Sequence, residues 1–331
     1  MGSYSFDSAY WNELIKFGKE VRESSLVDKS SYPIYHYTSD AAFCSILESE
    51  KLRFTNKRYL NDTTEGTYIL DFCKENAEEI CQDYSKYVKE FENACDKYKQ
   101  KSKKFSLIEQ YQCSFSIDSD SLCLWNYYTH GDSIRGYNIE FDNQALREGI
   151  NERYAGINYV YSGKVIYGKE AQISKIRKIA NLYFDKYQQN KDNFFCDQFY
   201  ETMRFLFDML FFVGQFFKKD CFKVESEYRL FFDFVQREGS VYALEKLDDP
   251  DSKIMSKAKP KLDLCFFARN GVVVPYIDVD FPPEALRSVM LSPTLDAEIA
   301  KRGVYTALRG KYYYNIKSMN DIKVSKIPVR F

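Results

Sequence analysis

Tyr32-Pro33-Ile34-Tyr35-His36-Tyr37-Thr38-Ser39 is an aromatic, β-branched run that carries a single imidazole. Such residues favour a pleated, half-buried surface, so the run reads as a buried strand. Ser39-Asp40 follows as a helix N-cap, and Ala42, Phe43, Ile46 and Leu47 recur at helical spacing. Lys51 to Thr55 then reads as a second short strand, and the polar loop Asn61-Asp62-Thr63-Thr64-Glu65 comes after it. His36 is one of only two histidines. A ring at a strand end can hold a ligand hydroxyl or move a proton, although a lone His in an aromatic strand is more often a satisfied core residue.

Working outward, residues 8 to 22 predict an amphipathic helix with Tyr10, Leu14 and Phe17 on one face. Residues 64 to 104 and 169 to 219 are charge-rich, nearly glycine-free and helical in pattern. Strands are expected at 111–116, 136–141, 157–167 (with a turn at Ser162-Gly163), 229–235, 263–268, 271–280 and 322–324. A short helix is expected at 121–128 and another at 295–309, and the polar stretch Lys246 to Lys261 is expected to be a loop. The fold class is therefore α+β. Residues 1–31 form an N-terminal helical extension, and 32–331 form one domain with helical inserts near 64–104 and 169–219.

Composition removes several function classes. The 47 basic and 48 acidic residues give a net charge of −1, so no overall field draws the chain to nucleic acid or an anionic membrane. Nine scattered cysteines, with no Cys-x-x-Cys pair and two histidines, argue against zinc and for reduced thiols in a cytoplasm. The most apolar window, Phe205 to Phe217, is too short to span a bilayer and contains Asp208 and Gln215. Gly163 to Lys169 has the spacing of a phosphate loop, but Glu170 stands where Ser or Thr would be needed, and no Gly-x-Gly-x-x-Gly or Gly-x-Ser-x-Gly motif occurs.

Four clusters could carry chemistry. They are His36-Tyr37-Thr38, Asn61-Asp62 with Glu65, Cys113-Ser114-Phe115-Ser116 with Trp125, Tyr128 and Gly136, and Glu225-Ser226-Glu227-Tyr228-Arg229. Each has an ordinary structural explanation: core packing, a turn or helix start, a packed Trp, and a solvent-exposed strand edge. In the last cluster the strand period puts Glu225, Glu227 and Arg229 on one face, where they could also form an acidic wall with a positioned ion pair.

In this order the clusters resemble the bacterial domain-of-unknown-function family numbered 2971. The resemblance continues through Gly136-Tyr137-Asn138-Ile139-Glu140-Phe141, Leu291-Ser292-Pro293 and Ser325 to Arg330, and covers roughly residues 32 to 330. Glu50 stands where a Gly commonly ends the first helix, and Phe222 where an aromatic, often Trp, precedes the acidic strand. The front end also resembles the first β-α-β of ADP-ribosyltransferase-like folds of the His-Tyr-Glu type. That second resemblance implies a split β-sheet core that uses NAD as substrate and needs no metal. It makes His36 the ribose-binding residue, with Tyr37 and Thr38 beside it and Asn61 and Asp62 in the cofactor-binding set. It puts Tyr128 or Tyr137 against the nicotinamide, and Glu227, with Glu225 as the alternative, as the catalytic carboxylate in one cleft with His36. It further implies a cytoplasmic toxin or phage-defence effector that modifies a nucleic acid or protein and answers to an antitoxin or phage-derived trigger. An NAD glycohydrolase, a non-catalytic sensing module and a ribonuclease-type toxin remain as alternatives.

Overall fold

The computed structural model describes residues 8–26, 28, 30–60, 68–102, 108–129, 134–154, 160–190, 198–237, 240–243, 262–311, 313 and 315–329. Its helices are α1 (Ser8–Leu26), α2 (Asp40–Ser49), α3 (Tyr68–Glu75), α4 (Ala77–Ile80), α5 (Val88–Ser102), α6 (Leu122–Tyr128), α7 (Asn143–Arg153), α8 (Lys169–Asn190), α9 (Gln198–Val213) and α10 (Ala297–Gly310). Its strands are β1 (Ile34–Thr38), β2 (Lys51–Asn56), β3 (Ile108–Ser116), β4 (Tyr137–Phe141), β5 (Tyr161–Lys164), β6 (Glu227–Arg237), β7 (Ser240–Ala243), β8 (Leu262–Asp263), β9 (Cys265–Arg269), β10 (Val272–Asp280), β11 (Leu286–Leu291) and β12 (Ile322–Val324).

The chain is α+β and divides into two compact units. One gathers residues 1–27, 60–107 and 165–220, and the other 28–59, 108–164 and 221–331. The first is helical. Within it α3 and α5 run antiparallel, held by the ion pairs Lys74–Asp96 (2.8 Å) and Lys99–Asp71. The helical pattern expected over 64–104 is thus folded back on itself rather than one long helix. Leu14, Ile176, Phe184, Leu206 and Phe207 are fully buried there. Gly214 is needed beneath α3, because a Cβ on it would lie 2.7 Å from the Ile69 Cβ.

Among the described residues, every strand belongs to the second unit. The sheet order is β12-β11-β4-β1-β3-β2-β10-β9, with β5 and β7 paired to β6, β8 to β7, and β6 to β3. All these pairings are antiparallel except β11 with β12. Along β3, β6 pairs continuously from Ile108↔Val235 to Ser116↔Glu227. The opposite edge is shared: β1 pairs at Tyr35↔Ser116 and β2 at Thr55↔Gln112 and Asn56↔Tyr111. The sheet is therefore split beside Ser114. One face carries the apolar core, including Ile34, Phe54, Phe115, Ile139, Tyr228 and Leu230.

Local chemistry explains the turns around the split. The Ser39 side chain accepts from the Ala42 amide and caps α2, and α2 ends on Glu50 in the left-handed region (φ 54°). Gly136 is required before β4, because a Cβ there would sit 2.4 Å from the Thr38 carbonyl oxygen. Three elements, α7, β7 and β11, go beyond the sequence expectations. Asp142 caps α7 by accepting from the Ala145 amide, but the helix buries few apolar residues, chiefly Leu146 and Ile150. The expected turn at Ser162-Gly163 is instead the middle of β5, opposite Leu230 and Arg229. Asn61 to Glu65, His130-Gly131 and Lys246 to Lys261 lie outside the described residues.

Candidate functional site

Strand period 2 explains which groups meet. In β3, Gln110, Gln112, Ser114 and Ser116 alternate with Tyr111, Cys113 and Phe115. In β6, Glu227, Arg229 and Asp233 alternate with Tyr228, Leu230, Phe232 and Phe234. The register Ser114↔Arg229 and Ser116↔Glu227 puts the two polar stripes on the same face, opposite the apolar core. Glu227 and Arg229 are buried there, and Arg229 forks onto the carboxylate: Nε donates to Oε1 and Nη2 to Oε2, both at 2.8 Å. Two parallel charge-assisted bonds of this kind fix the orientation of the carboxylate. The Ser114 hydroxyl donates to Oε1 at 2.7 Å, and Gln112 Nε2 donates to Ser114 Oγ at 3.2 Å.

The sequence expectation for Glu225 needs correction. Glu225 closes a 3-10 turn (Asp220–Glu225), and Ser226 takes a positive φ of 44° before β6 begins at Glu227. Strand alternation therefore does not extend to Glu225. Its carbonyl, with that of Ser226, is held by β3: Ser116 Oγ donates to Glu225 O at 2.8 Å, and the Ile117 amide to Ser226 O at 2.9 Å. A non-glycine residue in this region costs of order 1 kcal/mol or more, which the flanking bonds offset.

The expectation of one cleft shared by His36 and Glu227 needs correction: both bond Ser114, but their side chains leave the sheet on opposite faces. His36 pairs with Ile139 and its ring lies 5.4 Å from Phe115, so its side chain leaves β1 on the core face. Its Nδ1 is 3.1 Å from the Ser114 carbonyl oxygen. Backbone carbonyls lie in the plane of a sheet, so this bond draws the ring toward the split. A carbonyl only accepts, so Nδ1 carries the proton and Nε2 of the neutral ring is an acceptor. Burial lowers the His36 pKa, against the opposing effect of the Ser114 bond, and the neutral ring is favoured.

The strands open at the same place. Every residue from Gln110 to Ser116 is buried except Ser114, and in β1 Tyr35 and His36 are partly open while Ile34, Tyr37 and Thr38 are buried. The other expected aromatics are committed to structure. The Tyr37 hydroxyl donates to the Asp118 carbonyl (2.9 Å) and accepts from the Ser121 amide (3.0 Å), and its ring meets Trp125 edge-on. Tyr137 stacks on Phe43 with centroids 4.2 Å apart. Tyr128 packs against the cluster of Tyr37, Leu124 and Trp125. Asn61 and Asp62 lie outside the described residues.

Two residues that sequence reading passed over shape the neighbourhood. Asp120 Oδ1 accepts from Trp125 Nε1 (2.9 Å) and Ser325 Oγ (2.7 Å), and Oδ2 from the Lys326 amide (2.8 Å), so it ties α6 to the C-terminal segment. Tyr35, two positions from Tyr37, lies on the polar face beside Ser116 and Glu140. Among the described residues no group of His, Cys, Asp and Glu could hold a metal ion, and no helix is long and apolar enough to cross a membrane.

Most of helix α6 and the Glu227–Arg229 pair fall within a family signal. Residues 124–230 match the model of a family described as protein of unknown function (DUF2971). That stretch runs from α6 through β4 and β5 to the Glu227–Arg229 pair. The chain is similar to that family over these residues. No curated protein and no solved structure gives a match.

Proposed function

We propose that the split beside Ser114 is the ligand site of an NAD-dependent ADP-ribosyltransferase. The observation that supports this most is the double role of Ser114, whose carbonyl holds His36 and whose hydroxyl holds Glu227. A His strand, a Ser strand and a Glu strand lie side by side as β1, β3 and β6, and Tyr35, His36 and Ser114 are partly open beside the split. The His36 Nε2 acceptor suits a ribose hydroxyl. Breaking the glycosidic bond of NAD develops positive charge on the ribose, which an oriented carboxylate such as Glu227 stabilises. Arg229 and Ser114 would provide that orientation, leaving little to reorganise during the reaction. The resemblance to toxin-type transferases makes a toxin or phage-defence effector the biological reading, with a nucleic acid or protein as acceptor.

The test is purified protein with NAD labelled in the ADP-ribose moiety, offered DNA, RNA and total protein as acceptors. Nicotinamide release with label transfer supports the transferase. Release without transfer makes it a glycohydrolase. Neither, with NAD bound, makes it a sensing module, and RNA cleavage without NAD makes it a ribonuclease.

A further inference from the structure

We infer that Asn143, Arg147, Ser162 and Tyr228 form an internal site for a small inorganic anion of halide size, on the core face of the strand unit. This goes beyond the proposed NAD chemistry and does not depend on it.

Strand and helix geometry bring the four residues together. Ser162 pairs with Leu230, so on the core face it lies diagonal to Tyr228, within reach of a long side chain. Asn143 and Arg147 are one turn apart on α7, on the side that buries Leu146 and Ile150 in the same core. Tyr228 and Asn143 are fully buried, and Ser162 and Arg147 nearly so. The Tyr228 hydroxyl, Ser162 Oγ and Asn143 Nδ2 are each buried without a hydrogen-bond partner among the described residues. Burial pushes the Tyr228 hydroxyl up to about 12, and Ser162, Asn143 and the Arg147 charge oppose that rise, so all three lie around it.

What these groups offer is donors. Asn143 Oδ1 accepts from Arg147 Nε at 3.0 Å, which leaves the amide nitrogen, a pure donor, to the site. Arg147 Nη2 donates to the Ser30 carbonyl at 3.0 Å, but the guanidinium makes no ion pair among the described residues. Asp28, which feels the Arg147 charge, directs both oxygens to the Ser30 amide and hydroxyl and the Tyr32 hydroxyl. A buried guanidinium normally has a counter-charge, and buried donors normally have acceptors. One anion supplies both. A water accepts from two of the donors but leaves the charge uncompensated. The groups crowd around one hydroxyl in a packed core, which suits a single-atom ion rather than an oxyanion such as phosphate.

The experiment uses bromide as the probe, because it replaces chloride and scatters anomalously. Wild-type crystals grown in bromide locate the ion. Thermal melting of wild type, Ser162→Ala and Tyr228→Phe is followed against bromide, with gluconate holding the ionic strength constant. An ion that binds only the folded chain raises Tm with its concentration. The expected results are an anomalous peak between Asn143 Nδ2, Ser162 Oγ, the Tyr228 hydroxyl and Arg147, and a bromide-dependent rise in the wild-type Tm. Each variant should bind bromide about tenfold more weakly, since hydrogen bonds to a charged group are the stronger kind. No anomalous peak between these groups overturns the inference. So does a Tm that responds to bromide identically in wild type and both variants. If Tyr228→Phe does not fold, Ser162→Ala and the crystal carry the test, and if neither variant folds the crystal alone decides it.

Discussion

The helical unit and the strand unit bury polar side chains in different ways. In the helical unit several of them go to backbone, beside the side-chain pairs Tyr10–Thr202 and Tyr68–Gln172. Gln172 Nε2 donates to the Ile166 and Lys218 carbonyls, Asn76 to Phe72, Thr202 to Gln198 and Gln215 to Phe211. Bonds of this kind satisfy carbonyls of helices and loops. In the strand unit a set of polar side chains bond one another, along a strand from Gln112 to Ser114 and from Arg229 to Glu227, and across strands from Ser114 to Glu227, Gln110 to Asp233 and Ser288 to Glu140. A connected side-chain network in a low-dielectric setting is costly if incomplete and orients its members if complete. Under the proposed function, the contrast assigns chemistry to the strand unit and scaffolding to the helical one.

The largest test of this contrast is Arg229→Leu. It leaves the Glu227 carboxylate buried without its bidentate partner, and removing one member of a buried pair costs about 3–5 kcal/mol. Denaturant unfolding should show that loss, and Arg229→Leu combined with Glu227→Leu should recover most of it. A single variant as stable as wild type would mean that the pair is not a coupled unit. In the helical unit, Gln172→Ala should cost less, about 1–3 kcal/mol, because the exposed deficit is two carbonyls rather than a charge. It should also leave NAD affinity unchanged, and a change there would blur the division of labour.

His36 gives a pH-dependent version. Its folded pKa lies below the 6.5 of the free side chain. Between 6.5 and that lowered value the unfolded chain binds a proton that the folded chain does not. Stability from this group is therefore complete above about pH 6.5 and falls as the pH drops below it. A series of melting temperatures from pH 8 to 5 should show a shallower acid decline in His36→Gln than in wild type, and parallel curves would remove the buried neutral ring from the account.

The smallest expected effect is Glu50→Gly. The helix stop has a positive φ that glycine adopts without Cβ strain, so the variant should gain about 0.5–1 kcal/mol in chemical unfolding. A loss instead would mean that the Glu50 side chain has a role its backbone does not reveal.

Much of the strand unit was legible because its signals are local. The run 32–39, the Ser39 cap and the helical face of Phe43, Ile46 and Leu47 appear as read, ending one residue from the αL stop at Glu50. The helical stretches 64–104 and 169–219 follow from their long period and lack of glycine, and they join α1 in one unit. What was not legible depends on pairing. Nothing in Ile-Tyr-His-Tyr-Thr distinguishes Tyr35 from Tyr37, and only register with Ser116 and the Asp118 clamp separates an open ring from a structural one. The alternation from Gln110 to Ser116 is visible as a polar stripe, but that this stripe faces a buried carboxylate requires β6. Glu225 was misjudged because the left-handed Ser226 resets the strand phase, and serine gives no sequence warning of that. Helix α7 was passed over because its apolar signal is thin.

The most direct test of the central claim is nicotinamide release by Glu227→Gln, measured beside NAD affinity and thermal melting. The substitution keeps the shape and most hydrogen-bonding capacity of the side chain but removes its charge. If the carboxylate oriented by Arg229 and Ser114 stabilises the developing ribose cation, release should fall by about a hundredfold or more while NAD affinity changes far less. A folded Glu227→Gln protein that releases nicotinamide at the wild-type rate would contradict the account and leave the Ser114–Glu227–Arg229 network a structural feature of the sheet.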